Sequence, residues 1–434
     1  MLKISEKQLS IKDSMMNNTE AQPPSRRQFL IQSGLGLTAF AISDSLKAAP
    51  ANSTSLVKSI ESEVLFNGRT ENHRWFHPRA CVVPGTDHDS VLMTMQSITG
   101  SDVFGPVHWT ESLDQGKSWT TPELIPGLGR REFDATHEVG VCDVTPQYHP
   151  QTQTTIAMGH NVYYRNQVLA NPQLNRWPVY SIRNAEGAWS QPQKLHWDDP
   201  RGAFIYTCNC GQRLVLENGD ILIALTFGAD IKQPRLISTI RCTYDGSEIK
   251  VTESGNTLEN SVKRGLLEPS LVAYGNRYYV TIRAEDDRGY VAVSDDGLNW
   301  EPQVPWCWED GEPLVMSTTQ QHWLEHSDAL YLVYTRRDET NAKVIRYRAP
   351  IYMAEVNLET MQLNRETEQI VLPALGDPVN FPKGVALMGD FNITHLNQHE
   401  SWVTVGENLP YAGYKGNTLL ARIKWSRPNL LVQS

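Results

Sequence analysis

The chain has 434 residues, 40% hydrophobic and 20% charged, with 39 basic against 49 acidic side chains and a formal net charge of -10. That length admits one large all-β domain or two ordinary ones. The acidic balance and the lack of Lys/Arg runs argue against a nucleic-acid partner, so an anionic ligand would need a local cluster of arginines.

The first stretch reads as an address. Ser25-Arg26-Arg27-Gln28-Phe29-Leu30 precedes a modestly apolar run, Ile31 to Ile42, and Ala49-Pro50-Ala51 offers a small-x-small cleavage site. Residues 1–51 are expected to be a twin-arginine export signal, and 52–434 a single domain working in the periplasm or outside the cell. The apolar run falls short of the about 20 residues a spanning helix needs, and no other segment qualifies.

From Ser62 onward the pattern is strand and turn, without a helical period. Ser112-Leu-Asp114-Gln-Gly116-Lys-Ser-Trp119 recurs as Ser294-Asp295-Asp296-Gly297-Leu-Asn-Trp300, with Asp295, Gly297 and Trp300 taken as the repeated frame. Weaker copies stand at Asn184 to Trp189 and at Thr243 to Gly246. Such a turn uses the aspartate to accept backbone N–H groups, the glycine for positive φ, and the tryptophan to pack back on the turn. The most regular segment, Gly265 to Trp300, has three short β-branched and aromatic runs split by Gly275-Asn276 and Asp295-Asp296-Gly297, the mark of an antiparallel meander.

The repeat spacing predicts an all-β fold, a six-bladed β-propeller of four-stranded antiparallel blades, near 72–125, 135–195, 203–255, 263–306, 316–365 and 383–426. An early strand, Glu63 to Phe66, should close the ring on Thr418 to Trp425. Inner-strand starts then converge on a central funnel. The six cysteines are scattered, and Cys208-Asn-Cys210 lacks the spacing of a zinc half-site, so buried free thiols are expected.

Ser-x-Asp-x-Gly-x-x-Trp is similar to the Asp-box of the sialidase superfamily, which this chain resembles. The resemblance implies an exo-acting, secreted glycoside hydrolase that removes a terminal acidic sugar from an oligosaccharide or polysaccharide. It implies substrate-binding arginines at Arg79, in Phe76-His77-Pro78-Arg79-Ala80; at Arg283; and at Arg348, favoured over Arg346. Asp102, ten residues before Ser112, takes the acid/base place, and Glu268, in Glu268-Pro269-Ser270 and fifteen residues before Arg283, takes that of the glutamate supporting the nucleophile. An arginine suits this work because its planar fork holds a carboxylate through two parallel N–H bonds.

The family's tyrosine nucleophile is expected at the start of the last blade, where the chain reads Met388-Gly389-Asp390-Phe391-Asn392. Phe391 cannot attack, which leaves Tyr411 as a substitute or a different chemistry. An alternative is a propeller polysaccharide lyase acting on a uronic-acid glycan, with His137 or His160, Tyr206 and Arg213 around the C5 proton. A third reading is a non-catalytic carbohydrate-binding propeller. No cofactor or metal is implied, and oligomeric state is not legible.

Overall fold

The computed structural model describes residues 55–70, 74–316 and 318–432, so the export-signal stretch lies outside the described residues. Twenty-eight strands make six antiparallel sheets arranged as the blades of a propeller. The strands of blades 1 to 5 span 76–124, 131–194, 205–254, 267–305 and 322–372. Blade 6 combines 391–425 with the N-terminal strand Val57–Phe66. These bounds follow the predicted spacing to within several residues. The closing strand is longer than expected: it runs antiparallel to Thr418–Trp425 from Val57 to Phe66 rather than from Glu63. No helix among the described residues is long and apolar enough to cross a membrane.

The core lies between blades. Strands such as Ile221–Gly228 are buried along their whole length because both sheet faces meet a neighbour. Each junction has its own apolar cluster: Val107, Ile125 and Val141 join blades 1 and 2; Trp306, Trp323 and Leu332 join blades 4 and 5; Met93, Trp402 and Leu420 join blades 6 and 1. Trp306, Trp323 and Trp402 are the largest fully buried apolar side chains.

The axis is polar, and side chains of inner and neighbouring strands lace the blades together. Thr94 Oγ1 donates to the Val144 carbonyl at 2.7 Å (blade 1 to 2), and Gln147 Nε2 to the Arg213 carbonyl at 2.9 Å (2 to 3). The Leu271 amide reaches the Gln212 carbonyl at 3.1 Å (4 to 3), and Trp323 Nε1 the Ser270 carbonyl at 2.9 Å (5 to 4). Gln320 donates to the Phe391 carbonyl, and Thr394 Oγ1 returns to the Ala80 carbonyl at 2.9 Å, completing the circle. A buried polar group costs free energy unless it is paired, so this ring sets the inner strands in register with one another.

The turn motifs work across blades rather than within them, which corrects the sequence expectation. Trp119 lies 6.3 Å from Trp402 of blade 6, Trp189 lies 6.1 Å from Trp109 of blade 1, and Trp300 Nε1 donates to Thr239 Oγ1 of blade 3 at 2.9 Å. Each tryptophan thus clasps the preceding blade. The frame of the second copy also shifts. Ser294 Oγ receives the Gly297 amide at 2.9 Å, and Asp296 Oδ1 receives those of Leu298 and Asn299 at 2.8 and 2.7 Å. Asp295 instead points outward to Arg277 at 2.9 Å. This copy is one residue shorter between aspartate and glycine than Ser112–Trp119, so the residue adjoining the glycine does the capping. Asp296→Ala is expected to cost about 1 kcal/mol, the usual worth of such a cap, and Asp295→Ala no more than a few tenths, as for an exposed ion pair; urea melts of the two variants check this.

Candidate active site

A cavity of about 490 Å³ opens where the inner strands begin, a size suited to a small ligand. It is built by a recurring distortion. Phe76 pairs with Gln96 but Arg79 with Thr94, Cys142 pairs with His160 but Thr145 with Met158, and Leu267 pairs with Arg283 but Ser270 with Thr281. Each of these three inner strands therefore carries one extra residue at its axial end, a β-bulge. A non-glycine residue at positive φ sits in each bulge: His77 (54°), Asp143 (58°) and Glu268 (46°). In blade 3, where the inner strand Ile205–Thr207 pairs without a bulge, Asn209 (47°) follows the strand with the same backbone sign. All four line the cavity together with Asp390 of blade 6.

Beneath this floor lies Arg79, wholly buried and absent from the cavity wall. Its Nη2 donates to Asp143 Oδ1 at 3.1 Å. His77 Nε2 lies 3.6 Å from Asp143 and 3.7 Å from Asp390, and so stands between the two carboxylates. Burial works to raise the Asp143 pKa, but Arg79, His77 and His160 overcome it and hold the group below its ordinary value. Asp390 is also held well below its ordinary value: burial is outweighed by His77 and Arg348, the latter 4.0 Å away.

Asp102 is at the tip of the two-residue turn between Ser90–Gly100 and Val103–Ser112, with φ of 54°, and lines the cavity mouth. Its side chain is exposed at the mouth, yet its pKa is raised, first by the crowding of the surrounding funnel walls and then by the charges of Asp390 and Asp143. Glu268 and Arg283 form an ion pair, Arg283 Nε also donates to Thr318 Oγ1 at 2.8 Å, and the Glu268 amide donates to Thr226 Oγ1 at 3.1 Å. Arg348 Nε donates to Thr319 Oγ1 at 3.0 Å; a Cβ on Gly389 would come within 2.5 Å of its side chain, so only glycine leaves it room.

The structure thus brings Asp102, Glu268, Arg283 and Arg348 to one cavity and puts Arg79 under it. The proposed lyase set is dispersed. His160 lines the wall, but burial pushes its pKa down to about 3. His137 is not part of the wall and is held by Asp134 at 3.0 Å and by Arg165 at 2.8 Å. Tyr206 turns its hydroxyl to the Leu195 carbonyl at 3.0 Å inside the blade 2–3 core. Arg213 is buried with Nη2 on the Thr145 carbonyl at 3.0 Å. Tyr411 is 61% exposed and outside the cavity, whereas Tyr414, which sequence reading passed over, lines it.

Asp390, His77 and Asp143 were also missed. At the blade 6 mouth attention fell on Phe391, yet that ring is fully buried, edge-on to His322 at 5.3 Å, and its predecessor faces the site. The available signal was the residue just before each inner strand's apolar core: His77, Asp143, Glu268 and Asp390 share it. The cysteines are free thiols, with Cys208 and Cys210 buried. Cys142, Asp143 and His160 offer three ligand atoms within 4.8 Å of one another, but the Arg79 guanidinium on Asp143 would repel a cation there.

No protein-family model and no curated protein sequence matches the chain. Solved structures do. A protein of unknown function from Dyadobacter fermentans superposes with a TM-score of 0.60 at 16% identity, over 85% of this chain and 99% of that one. The sialidase of Trypanosoma rangeli superposes with a TM-score of 0.57 at 12% identity, and a Hadza microbial sialidase with 0.56 at 11%. The fold is sialidase-like. The chain spans 59% of the length of the Trypanosoma enzyme and 68% of the Hadza one, and at these identities the likeness concerns the fold alone.

Truncation of Arg79 tests the floor. Arg79→Ala empties a wholly buried site and leaves Asp143, part-exposed in the cavity wall, without its arginine, and is expected to lower stability by about 2 kcal/mol, read as a shift in the urea midpoint.

Proposed function

We propose that the protein is a glycoside hydrolase acting on an acidic glycan, with Asp102 as general acid and Asp390 as the ionised carboxylate of the reaction. The observation that carries this reading is that two carboxylates of one cavity are pushed in opposite directions, Asp102 up and Asp390 down. Environments that separate the pKa values of two acids divide the acid and base roles between them.

In the reaction, the bond between the anomeric carbon and the glycosidic oxygen breaks as Asp102 passes its proton to that oxygen. The negative charge of Asp390 stabilises the electron-poor carbon. Water supplies the hydroxyl that the carbon acquires, and its remaining proton restores Asp102. Glu268 serves as the counter-ion that orients Arg283. Arg283 and Arg348 each commit Nε to a threonine of blade 5, which fixes their planes beside the sugar. Elimination is less well supported, because a histidine with a pKa near 3 is a poor base for a C5 proton and the other lyase candidates lie off the cavity. Export by the twin-arginine route, carried by Arg26-Arg27, would put the enzyme where extracellular glycans are met.

The test is a pH–rate profile on sialylated and uronic-acid glycans, with product mass showing addition of water. Turnover should fall as pH rises through the raised Asp102 pKa, since the acid must be protonated. Asp102→Asn should remove that alkaline limb and spare substrates with activated leaving groups. An unchanged limb would rule Asp102 out as the acid. Asp390→Asn should lower turnover by about 10²-fold or more while the folded protein still binds the glycan.

A further inference from the structure

The arginines of the cavity differ in one respect: some have a carboxylate partner and some do not. Arg283 is paired with Glu268, Arg264 with Glu285, and Arg348 faces Asp390 at 4.0 Å. Arg176, Arg235 and Arg346 also line the cavity, and among the described residues none of the three has a carboxylate within ion-pair distance; Arg346 is exposed and lies on the blade 5 side beside Arg348, whereas Arg176 and Arg235 stand on adjoining blades. We propose that Arg176 and Arg235 form an oxyanion subsite that takes a carboxylate or sulfate carried by the sugar on a carbon other than the reacting one. This deepens the glycan-hydrolysis reading and rests on it.

The two side chains hold equivalent places in successive blades. Arg176 makes a parallel bridge to Ile205 at the start of blade 3, and Arg235 makes one to Gly265 at the start of blade 4. Backbone bonds lock both: the Arg176 amide donates to the Phe204 carbonyl at 3.2 Å and its carbonyl accepts from Tyr206 at 3.0 Å, while the Arg235 amide donates to the Arg264 carbonyl at 2.6 Å and its carbonyl accepts from Leu266 at 2.9 Å. The heads are placed as well. Arg176 Nε donates to the Asn161 carbonyl at 3.2 Å, and Arg235 Nη1 to the Asp230 carbonyl at 3.1 Å and to that of Gln233 at 3.3 Å. The Arg235 guanidinium lies over the Phe204 ring at 5.3 Å, and Gly228 lets it pass, since a Cβ there would come within 3.0 Å of Nη1.

Burial, then the charges of Arg176 and Arg264, lower the Arg235 pKa, and the opposing charge of Asp230 does not make up the difference. A bound oxyanion would relieve that repulsion and meet two guanidinium groups at once. Position favours an acid group away from the reacting carbon. Blades 2 and 3 carry the two arginines, whereas Asp390 belongs to blade 6, across the ring from blade 3. An anion attached to the reacting carbon would sit against Asp390; one displaced along the sugar would reach the arginines.

The test is calorimetric binding to the full chain in an Asp102→Asn background, so that no probe is consumed. The probes are a glucuronate-ended disaccharide, a glucose 6-sulfate-ended disaccharide and the matching neutral glucose disaccharide. Arg176→Gln and Arg235→Gln should each weaken the preferred acidic probe by about tenfold or more, the loss expected of one charged hydrogen bond, and leave the neutral probe unchanged. The tighter acidic probe identifies the group as carboxylate or sulfate. Arg176→Lys and Arg235→Lys, which keep the charge, should fall between and serve if the glutamine variants do not fold. Equal loss on acidic and neutral probes, no loss in either variant, or no binding of either acid overturns the subsite. Charge-dependent binding by an unaltered protein that cleaves none of these sugars would uphold the subsite and defeat the hydrolase reading.

Discussion

One residue in the left-handed region at the axial end of an inner strand is the constraint on which the site depends. A side chain there adds about 1 kcal/mol or more of backbone strain, and His77, Asp143, Asn209 and Glu268 all bear it. Without the extra residue, alternation along the strand would send these groups into the space between blades, where a charge has no partner. With it, the strand keeps its apolar alternation below the bulge and presents a polar group to the cavity above. The scaffold holds the strain because each inner strand is fastened to both neighbours by the circle of buried side-chain hydrogen bonds.

Charge then follows from position. The molecule is acidic overall, yet six arginines and four carboxylates line the axial cavity. A chain of contacts runs under and along the floor, Arg79 to Asp143 to His77 to Asp390 to Arg348, in which each carboxylate stands between an arginine and the His77 ring. That arrangement holds the pKa values of Asp143 and Asp390 down. It also makes Asp102, above them at the mouth, the group that feels two negative charges from below. The funnel walls and the carboxylates of the floor together raise the proton affinity of Asp102, while Arg79 acts on Asp143 from beneath the cavity.

Much of the architecture was legible. Turn signals at fixed spacing marked the blades, and the pairing of Glu63–Phe66 with Thr418–Trp425 could be read from two strand patterns at opposite ends of the domain, although the paired strand begins at Val57. Glu268 and Arg283 could be placed together because a tight hairpin at Gly275 brings their strand ends side by side. Single-residue offsets could not be read. Asp296 rather than Asp295 caps its turn, and Asp390 rather than Phe391 faces the cavity. A bulge or a shortened turn changes which face a side chain takes without changing composition, and a motif aligned by residue type carries no record of it.

The sequence by itself determined the elements: short β-branched and aromatic runs, turns with glycine and aspartate at set offsets, and hence six blades closed by a strand from the far end. These follow from local propensity and alternation, which act over a few residues. Only the tertiary structure decided that Arg79 lies beneath the floor, that Arg176 and Arg235 stand together without a carboxylate, and that Asp102 and Asp390 share a cavity. The reason is physical. Burial, charge pairing and proton affinity depend on neighbours brought from other blades, up to hundreds of residues away along the chain, and no local pattern encodes which of them will meet.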